Sequence, residues 1–324
     1  MTITTVRAVV PAADPAFRAD VLAGLAAPQR AIPARWFYDA HGSALFERIT
    51  DLPEYYPTRV ERRLLQTHAA AVAAITGHGR AVVEFGSGSS AKTPLLLSAV
   101  DPAAYVPIDI SGDFLRDSAA ALGQRFPGLP VHPVEADFTR AITLPPMIED
   151  APRLGFFPGS TVGNLIASSA VDLLRAMART LGDGAMLLIG MDRIKDPAVL
   201  IDAYDDAQGV TAAFNLNLLH RINRELEGDI PVDAFRHIVR WNDGIARIEM
   251  HLEAMRDLAF TVSGHRFAIA AGETIHTENS HKYGPRDARL LLAAGGWTSV
   301  AEWANADDQF VLILAEATPV RSAP

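Results

Sequence analysis

Residues 81–93 read Ala-Val-Val-Glu-Phe-Gly-Ser-Gly-Ser-Ser-Ala-Lys-Thr, and this stretch decides the fold. The apolar residues before Glu84 predict a short buried strand. Gly86 and Gly88 allow the backbone to turn sharply and to approach a bound molecule closely. A helix is expected to begin near Lys92. A strand, a glycine-rich turn and a helix in this order are typical of a binding site for a nucleotide-like ligand.

Three ligand-binding patterns compete for this turn. A dinucleotide-binding turn requires G-x-G-x-x-G, and Ala91 occupies the position of its third glycine. A phosphate-binding loop requires G-x-x-x-x-G-K-[ST], and Ala91 also replaces the glycine before Lys92. The third pattern, acid-x-G-x-G, is the first motif of class I S-adenosylmethionine (SAM) methyltransferases. It is matched without substitution from Glu84 to Gly88.

Acidic residues at the ends of the next two predicted strands favour the third pattern. Asp109 ends a strand at 105–109, where a carboxylate accepts hydrogen bonds from ribose hydroxyls. Asp137 and Phe138 follow a strand at 131–135, and they suit the amino group and the ring face of an adenine. With the acid of the glycine-rich turn, they predict an acidic site that favours a sulfonium cation over pyrophosphate. The alternative is an ordinary α/β turn with solvated acids.

Composition excludes several classes of function. The net charge is −9 and no basic cluster is present, so nucleic acid is not an expected partner. The chain has no cysteine, which excludes disulfides, thiolate zinc sites and cysteine nucleophiles. There is no signal-peptide layout, and no apolar run reaches the roughly 18 residues of a membrane span. We therefore expect a cytoplasmic enzyme with no membrane partner.

The pattern of strands and helices predicts the fold class. From residue 81 to residue 192 the two alternate, which predicts a doubly wound parallel sheet of the α/β class. Residues 196–227 are then expected to be helical, and the alternating segments that follow are typical of antiparallel strands, one of them at 258–270. A helix at 285–294 and two further strands return to the α/β pattern.

The same change of pattern predicts two domains. One is a SAM-binding methyltransferase core, and the other is an α+β substrate domain built from the N-terminus and an insertion. The predicted limits are residues 61–192 and 285–324 for the core, and residues 1–60 and 193–284 for the substrate domain.

Several further segments carry a family resemblance and are spread over nearly the whole chain. They are Trp36-Phe37-Tyr38-Asp39, Leu52-Pro53-Glu54-Tyr55-Tyr56-Pro57-Thr58-Arg59, Gly159-Ser160-Thr161-Val162-Gly163-Asn164, Ala203-Tyr204-Asp205-Asp206, Arg247-Ile248-Glu249-Met250 and Thr277-Glu278-Asn279-Ser280-His281-Lys282-Tyr283. The tyrosine-rich and Gly-Ser-Thr-x-Gly-Asn segments are specific, because generic methyltransferases lack them. The chain resembles the histidine-specific Nα-methyltransferases of ergothioneine biosynthesis. The resemblance implies that three methyl groups pass in turn from SAM to the α-amine of L-histidine, giving hercynine.

The resemblance also implies which residues form the site. The cofactor contacts would be Tyr38, Gly86, Lys92, Asp109, Asp137 and Phe138. The substrate contacts would be Tyr55, Asn164, Tyr204, Met250, Glu278 and Ser280. The catalytic residues would be Tyr38, Asn164 and Tyr204. No metal is implied, because in-line methyl transfer chiefly needs the alignment of amine, methyl and sulfur.

The chemistry of these side chains suits an amino acid. Asn164 and Tyr204 offer donors for an α-carboxylate without adding charge. Glu278 would accept one imidazole N–H, and Ser280, two residues along the same predicted strand face, would serve the other nitrogen in either direction. No strongly basic side chain is evident in the predicted pocket, so the amine is expected to lose its proton through water.

Three alternatives remain open at this point. The first is a methyltransferase of the same architecture that acts on another amino acid, although Glu278, Ser280 and Met250 argue for histidine. The second is a non-catalytic SAM-sensing regulator, against which paired cofactor and substrate sites argue. The third is a P-loop kinase, which ATP binding would reveal. For the histidine methyltransferase itself, a monomer is expected.

Overall fold

The computed structural model describes residues 14–88, 90–110, 112–140 and 142–318. Residues 1–13, where the sequence has no signal-peptide layout, and residues 319–324 of the predicted core lie outside the described residues. The chain divides into two compact units. Unit 1 takes in Met1–Arg48, Ala207–Val239 and Glu249–Glu278, and unit 2 takes in Ile49–Asp206, Arg240–Ile248 and Asn279–Pro324. Unit 2 thus includes residues 49–60, 193–206, 240–248 and 279–284, which the sequence assigns to the substrate domain. The substrate-binding role of that domain stays a prediction.

The helices and strands are numbered in chain order. Up to residue 192 they are α1 Pro15–Ala26, β1 Arg30–Ala31, α2 Ala40–Thr50, α3 Tyr56–Thr76, β2 Ala81–Phe85, α4 Thr93–Val100, β3 Ala104–Asp109, α5 Gly112–Arg125, β4 Val134–Glu135, β5 Arg153–Phe157, α6 Ala167–Leu181 and β6 Met186–Asp192. The remainder are α7 Pro197–Asp202, α8 Val210–Glu225, β7 Phe235–Asn242, β8 Arg247–Ala254, β9 Leu258–Val262, β10 His265–Ile269, β11 Thr274–His281, α9 Pro285–Ala294, β12 Trp297–Ala304 and β13 Phe310–Ala317.

Unit 2 is built on a sheet in which the described residues form seven strands, in the order β12-β13-β6-β5-β2-β3-β4. The strands from β6 to β4 pair in parallel, which confirms the predicted doubly wound α/β fold. β13 is antiparallel to both β6 and β12. Only residues 305–309 join β12 to β13, and so short a connection has no room for the crossover that parallel strands need.

Two segments predicted as single elements are divided in the structure. Residues 196–227 form α7 and α8 with a loop between them, and α8 begins after Gly209, whose φ is 69°. Residues 258–270 form the hairpin β9-β10, because Ser263 and Gly264 both take positive φ values, 47° and 78°. Two consecutive residues with positive φ close a tight hairpin whose twist matches that of the strands.

Helices cover both faces of the sheet in unit 2. Alternate strand residues point to one face, where they pack against α6 and α9 in a buried apolar core that contains Val83, Val106, Ile189, Leu174 and Leu292. On the same face the Trp297 indole donates to the Leu174 carbonyl over 3.0 Å. Helix α3 packs across β6, β12 and β13. The carboxyl ends of the parallel strands are left to the loops, where ligands bind in sheets of this class.

Gly190 allows α3 to approach the sheet closely. A Cβ atom at this position of β6 would lie 2.0 Å from Glu61 Oε1 and 2.9 Å from the Phe310 ring. Glu61 belongs to α3 and is completely buried. The missing side chain of Gly190 therefore makes room for the Glu61 carboxylate above the sheet.

We expect Gly190→Ala to lower the free energy of unfolding by about 1–3 kcal/mol, because an added methyl overpacks a filled site. Denaturant unfolding measures the effect. Gly123→Ala on α5 is the control: a Cβ there meets no atom within 4 Å. That control should instead raise stability by up to about 1 kcal/mol, because alanine favours the helix. Equal stability of wild type and Gly190→Ala would contradict the close approach.

Unit 1 contains α1, α8, the hairpin β9-β10 and most of a second sheet. This sheet has the order β1-β11-β8-β7, and β1 pairs in parallel with β11 from Arg30 opposite Ile275. Helix α8 buries one apolar face through Phe214, Leu218 and Ile222. Within the described residues, every helix is too short or too polar to cross a lipid bilayer.

Candidate active site

The glycine-rich turn of unit 2 is fastened to the neighbouring strand β3. Gly86 and Gly88 have φ values of 71° and 48°, in the region that favours glycine. The Gly86 and Ser87 amides donate to the Ile108 carbonyl over 2.8 and 3.1 Å. The Gly88 amide donates to Asp109 Oδ2 over 3.0 Å. The acid at the end of β3 thus lies directly beside the turn, as the sequence predicted.

Phe138 lies over the first glycine of the turn. A Cβ atom at Gly86 would be only 3.3 Å from the Phe138 ring, so a side chain at this position would crowd the space between them. Asp137 precedes this ring, and its Oδ1 accepts from the amide and the hydroxyl of Thr139 over 3.0 and 2.6 Å. The structure therefore brings together four of the predicted cofactor residues: Gly86, Asp109, Asp137 and Phe138.

Glu84 differs from the prediction that it adds to an acidic ligand site. Its side chain is buried, and its Oε2 accepts from the Tyr105 hydroxyl over 2.5 Å and from Thr93 Oγ1 over 2.7 Å. Burial raises the pKa of Glu84 to about 7, although both hydrogen bonds act in the opposite direction. Glu84 therefore joins β2 to the start of α4 and to β3 from inside the protein.

This pKa predicts how stability depends on pH. The folded protein holds the Glu84 proton up to about pH 7, whereas an ordinary glutamate releases it near 4.5. Stability from this source is complete below pH 4.5 and is lost as the pH rises to 7, by roughly 3 kcal/mol. We expect Glu84→Gln to remove this fall, as measured by denaturant unfolding at pH 5 and pH 8.

The control for this experiment is Glu316→Gln, at an exposed position of β13. It should keep the wild-type pH dependence of stability. If Glu84→Gln also kept it, Glu84 would not be the group that binds the extra proton.

Lys92, a further predicted cofactor contact, is engaged inside unit 2. Its Nζ forms an ion pair with Glu61, and both carboxylate oxygens of Glu61 accept from the Gly159 amide over 2.9 Å. The pair connects the glycine-rich turn to α3 and to the loop after β5. A direct contact between Lys92 and the cofactor stays a prediction.

Four predicted substrate residues lie in unit 2, and two of them touch. The Tyr204 hydroxyl and Ser280 Oγ are 2.7 Å apart and buried. The ring of Tyr55 lies edge-on to the ring of Tyr204, with centroids 6.0 Å apart. Asn164 ends a short 3-10 helix, Thr161–Asn164, after β5.

The segment that carries Asn164 packs against the end of β11. A Cβ atom at Gly163 would lie 2.8 Å from the His281 carbonyl oxygen, so glycine is needed for this approach. His281 Nδ1 is 2.9 Å from the Gly163 carbonyl oxygen. Asn164 follows Gly163 in the chain and Ser280 precedes His281, so both predicted substrate residues lie beside this contact.

Lys282 was not predicted as a site residue, and it contradicts the expectation that no basic side chain lies in the pocket. Its Nζ donates to Ser280 Oγ over 2.8 Å and to the Tyr204 hydroxyl over 3.0 Å. It also forms an ion pair with Asp192 Oδ2 over 2.8 Å, and its side chain is wholly buried. The sequence offered one signal, since Lys282 belongs to the Asn-Ser-His-Lys-Tyr part of the family resemblance.

Asp192 has two further partners. Lys195 Nζ donates to Asp192 Oδ1 and to the Tyr56 hydroxyl, each over 2.6 Å. The Tyr56 hydroxyl donates to Asp192 Oδ2 over 2.7 Å. Burial alone would raise the pKa of Asp192, but Lys282 and Lys195 outweigh it and hold the pKa below its usual range. Burial lowers the pKa of Lys195 to about 8.

Three predicted residues lie in unit 1. The Tyr38 ring packs edge-on against Phe46 and Phe214, with centroids 5.6 and 5.8 Å away. Met250 on β8 is buried, and its carbonyl oxygen accepts from Thr277 Oγ1 on β11 over 3.0 Å. Glu278 is half-buried on β11, two positions before Ser280, as predicted for residues that share a strand face.

A polar cluster of unit 1 also has the residue types of a metal site. Donor atoms of Glu249, His251 and His276 lie within 4.8 Å of one another. His251 contacts Glu249 Oε2 at 3.3 Å and Thr274 Oγ1 at 3.2 Å, and its ring stacks on His276. These contacts hold the cluster together by hydrogen bonding and stacking. That no metal takes part stays a prediction.

Comparison with known proteins identifies the family. The fold and the glycine-rich turn are those of a class I SAM-dependent methyltransferase. Residues 17–317 match the family model for the SAM-dependent, histidine-specific methyltransferases, and the chain belongs to this family.

Two mycobacterial relatives match over nearly their full length. The histidine N-alpha-methyltransferase of Mycolicibacterium smegmatis is 42% identical over 306 residues, and that of Mycobacterium tuberculosis is 41% identical. Each match covers 93% of this chain and 94% of the relative. Ergothioneine biosynthesis protein 1 of Neurospora crassa is 28% identical over 297 residues, which cover 89% of this chain and 33% of that protein.

The residues around the turn fit SAM as the cofactor. Glycine at position 86 lets the backbone of the turn lie directly against the Phe138 ring, because a Cβ atom there would be only 3.3 Å from that ring. Ser87 Oγ is buried and has no hydrogen-bond partner among the described residues, so it has a donor to offer. The turn also carries no lysine or arginine from Glu84 to Ala91, in keeping with a cationic rather than an anionic ligand.

Proposed function

We propose that the protein transfers three methyl groups from SAM to the α-amino nitrogen of L-histidine and so forms hercynine for ergothioneine biosynthesis. The observation that carries this function is 42% identity, over 93% of the chain, to a histidine N-alpha-methyltransferase. The family model for histidine-specific, SAM-dependent methyltransferases supports the same substrate and the same methyl donor.

SAM supplies an electrophilic methyl group on a sulfonium, so the protein has to align the amine with it. We propose that the turn from Gly86 to Gly88 approaches SAM closely, and that Asp109 accepts from its ribose hydroxyls. Asp137 and Phe138 would hold the adenine by its amino group and its face. Tyr38, assigned by the resemblance, would be a further contact.

For the substrate, the proposal follows the resemblance residue by residue. Asn164 and Tyr204 would hold the α-carboxylate through neutral donors. Glu278 would accept from the imidazole, and Ser280 would serve its other nitrogen. Tyr55 and Met250 would line the pocket. The six residues named in this paragraph form what is called the proposed histidine site.

The amine must lose a proton before it attacks. Lys282 is not a suitable base, because each of its three ammonium hydrogens already has an acceptor. The proposal therefore keeps proton loss through water. A monomer located in the cytoplasm is likewise proposed, on the basis of the composition and of the small-molecule substrate.

Mass spectrometry tests the function directly. The purified protein is incubated with SAM and an equimolar mixture of the twenty amino acids. We expect a gain of three methyl groups on histidine alone. Methylation of another amino acid would keep the fold and the methyl donor but contradict the histidine site. SAM binding without any methylation would instead support the SAM-sensing alternative.

We expect Glu278→Ala to raise the KM for histidine by about tenfold or more, because a charge-assisted hydrogen bond to the ring is lost. The KM for SAM should change less than about twofold, because the proposal assigns this carboxylate to the imidazole of the substrate and not to SAM. Initial-rate kinetics with each substrate varied in turn measure both constants.

The control is Glu253→Ala, which breaks the ion pair between Glu253 on β8 and Arg236 on β7. It should leave both KM values near those of the wild type, since exposed ion pairs contribute little. An equal rise of the two KM values in Glu278→Ala would remove Glu278 from the imidazole site.

A further inference from the structure

The starting point is a buried carboxylate beside the glycine-rich turn of unit 2. The side chain of Glu61 on α3 has no solvent exposure, and it forms an ion pair with Lys92 Nζ. Both carboxylate oxygens of Glu61 also accept from the Gly159 amide over 2.9 Å. Because a buried carboxylate is costly unless it is paired and hydrogen-bonded, Glu61 and Lys92 hold each other in place.

The ammonium group of Lys92 keeps hydrogens for a ligand. A lysine ammonium has three hydrogens, and Glu61 Oε2 is its one acceptor among the residues that the structure describes. Lysine can only donate, so the two other hydrogens require acceptors from outside this pair. The Lys92 side chain is 17% exposed, which leaves the ammonium within reach of a molecule bound at the turn.

The order of the strands indicates which part of SAM lies nearest to Lys92. The proposed function places the adenine at Asp137, after β4, and the ribose at Asp109, at the end of β3. The next strands in the sheet are β2 and β5, and Lys92 and Gly159 follow these two strands in the chain. The methionine part of SAM therefore extends toward Lys92, and its one anionic group is the α-carboxylate.

The ion pair also suits the charge of the cofactor. An unpaired ammonium group in this site would repel the sulfonium of SAM, whereas the pair of Glu61 and Lys92 has no net charge. Lys92 thus offers donors to a carboxylate without making the site positive. The turn itself, from Glu84 to Ala91, contributes no lysine or arginine either.

We propose that Glu61 is a positioning residue of the cofactor site, which holds the Lys92 ammonium in place to bind the α-carboxylate of SAM. The inference rests on the proposed function, which makes SAM the methyl donor, and it adds a residue that acts only through Lys92. Without Glu61, the flexible four-carbon stem of Lys92 is free to turn away, and each binding event has to order it again.

The test is Glu61→Gln, which keeps the shape of the side chain and removes its charge. The amide nitrogen of glutamine would face either Gly159 or Lys92, and both are donors, so one of these contacts is lost. Calorimetry measures the Kd of S-adenosylhomocysteine, which carries the α-carboxylate, and of methylthioadenosine, which lacks it.

We expect Glu61→Gln to raise the Kd of S-adenosylhomocysteine by about tenfold or more, as for a lost hydrogen bond between charged groups. The Kd of methylthioadenosine should change less than about twofold, because it offers Lys92 no carboxylate. An equal loss for both ligands would overturn the proposal, since a merely structural role of Glu61 would affect the adenosine part as well.

Glu302→Gln is the matched control. Glu302 also forms an ion pair within unit 2, with Arg289, and it lies on β12, at the opposite edge of the sheet from β4. The same substitution there should leave both Kd values within about twofold of the wild type. A loss as large as that in Glu61→Gln would contradict the proposal, because breaking any ion pair of the unit would then be enough.

Lys92→Met gives a second comparison, which also serves if Glu61→Gln does not fold. Glu61 can take up a proton when Lys92 is absent, so no unpaired charge stays buried. Lys92→Met should weaken binding of S-adenosylhomocysteine by about tenfold or more. Adding Glu61→Gln to it should change the Kd less than about threefold, because the two residues act on the same carboxylate. Wild-type affinity in Lys92→Met, or a further tenfold loss in the double variant, would overturn the proposal.

Failure of the proposed function would look different. A wild-type protein that binds neither SAM nor S-adenosylhomocysteine would remove SAM as the methyl donor, and the function with it. A wild type that methylates histidine, with an unchanged Kd of S-adenosylhomocysteine in a folded Glu61→Gln variant, would overturn the role of Glu61 alone.

Discussion

The buried carboxylate of Asp192 is the interaction on which the candidate substrate site of unit 2 depends. It lies at the end of β6 and accepts hydrogen bonds from Tyr56, Lys195 and Lys282. Burying a carboxylate is costly unless it is paired and hydrogen-bonded, so the segments that carry these partners are held together. Lys282 in turn donates hydrogen bonds to the hydroxyls of Tyr204 and Ser280. The polar groups that would contact a substrate thus lie against buried charged groups that are paired and hydrogen-bonded.

The candidate cofactor site follows the same principle with different groups. Glu84 accepts from Tyr105 and Thr93 beneath the glycine-rich turn, and Glu61 joins Lys92 to the loop after β5. Both carboxylates are buried. Glu84 links the consecutive elements β2, α4 and β3, whereas Glu61 links α3 to a loop 98 positions further along the chain. The turn itself is kept open by glycine. Buried, hydrogen-bonded carboxylates beneath a turn without large side chains suit a reaction that depends on the alignment of the reactants more than on acid–base groups.

The sequence predicted what local rules determine. The glycine-rich turn, the strand before it and Asp109 at the end of the next strand follow from composition and spacing within residues 81–109. The ion pair between Asp192 and Lys282 could not be predicted in this way, because 90 positions separate the two residues and only the folded sheet brings them together. Glu84 shows the complementary error: an acid at a strand end was expected to face a ligand, and its neighbours Tyr105 and Thr93 bury it instead. Side-chain direction at a strand end depends on packing that a pattern does not contain.

The most direct measurement is a crystal structure of the protein with S-adenosylhomocysteine and L-histidine bound. The account predicts the ribose hydroxyls within hydrogen-bond distance of Asp109 and the adenine against Phe138. It also predicts an acceptor atom of histidine within hydrogen-bond distance of Tyr204 or Ser280, with Lys282 Nζ still in contact with both. Histidine bound away from this pair, or a Lys282 that has left Asp192 to contact the substrate itself, would contradict the account.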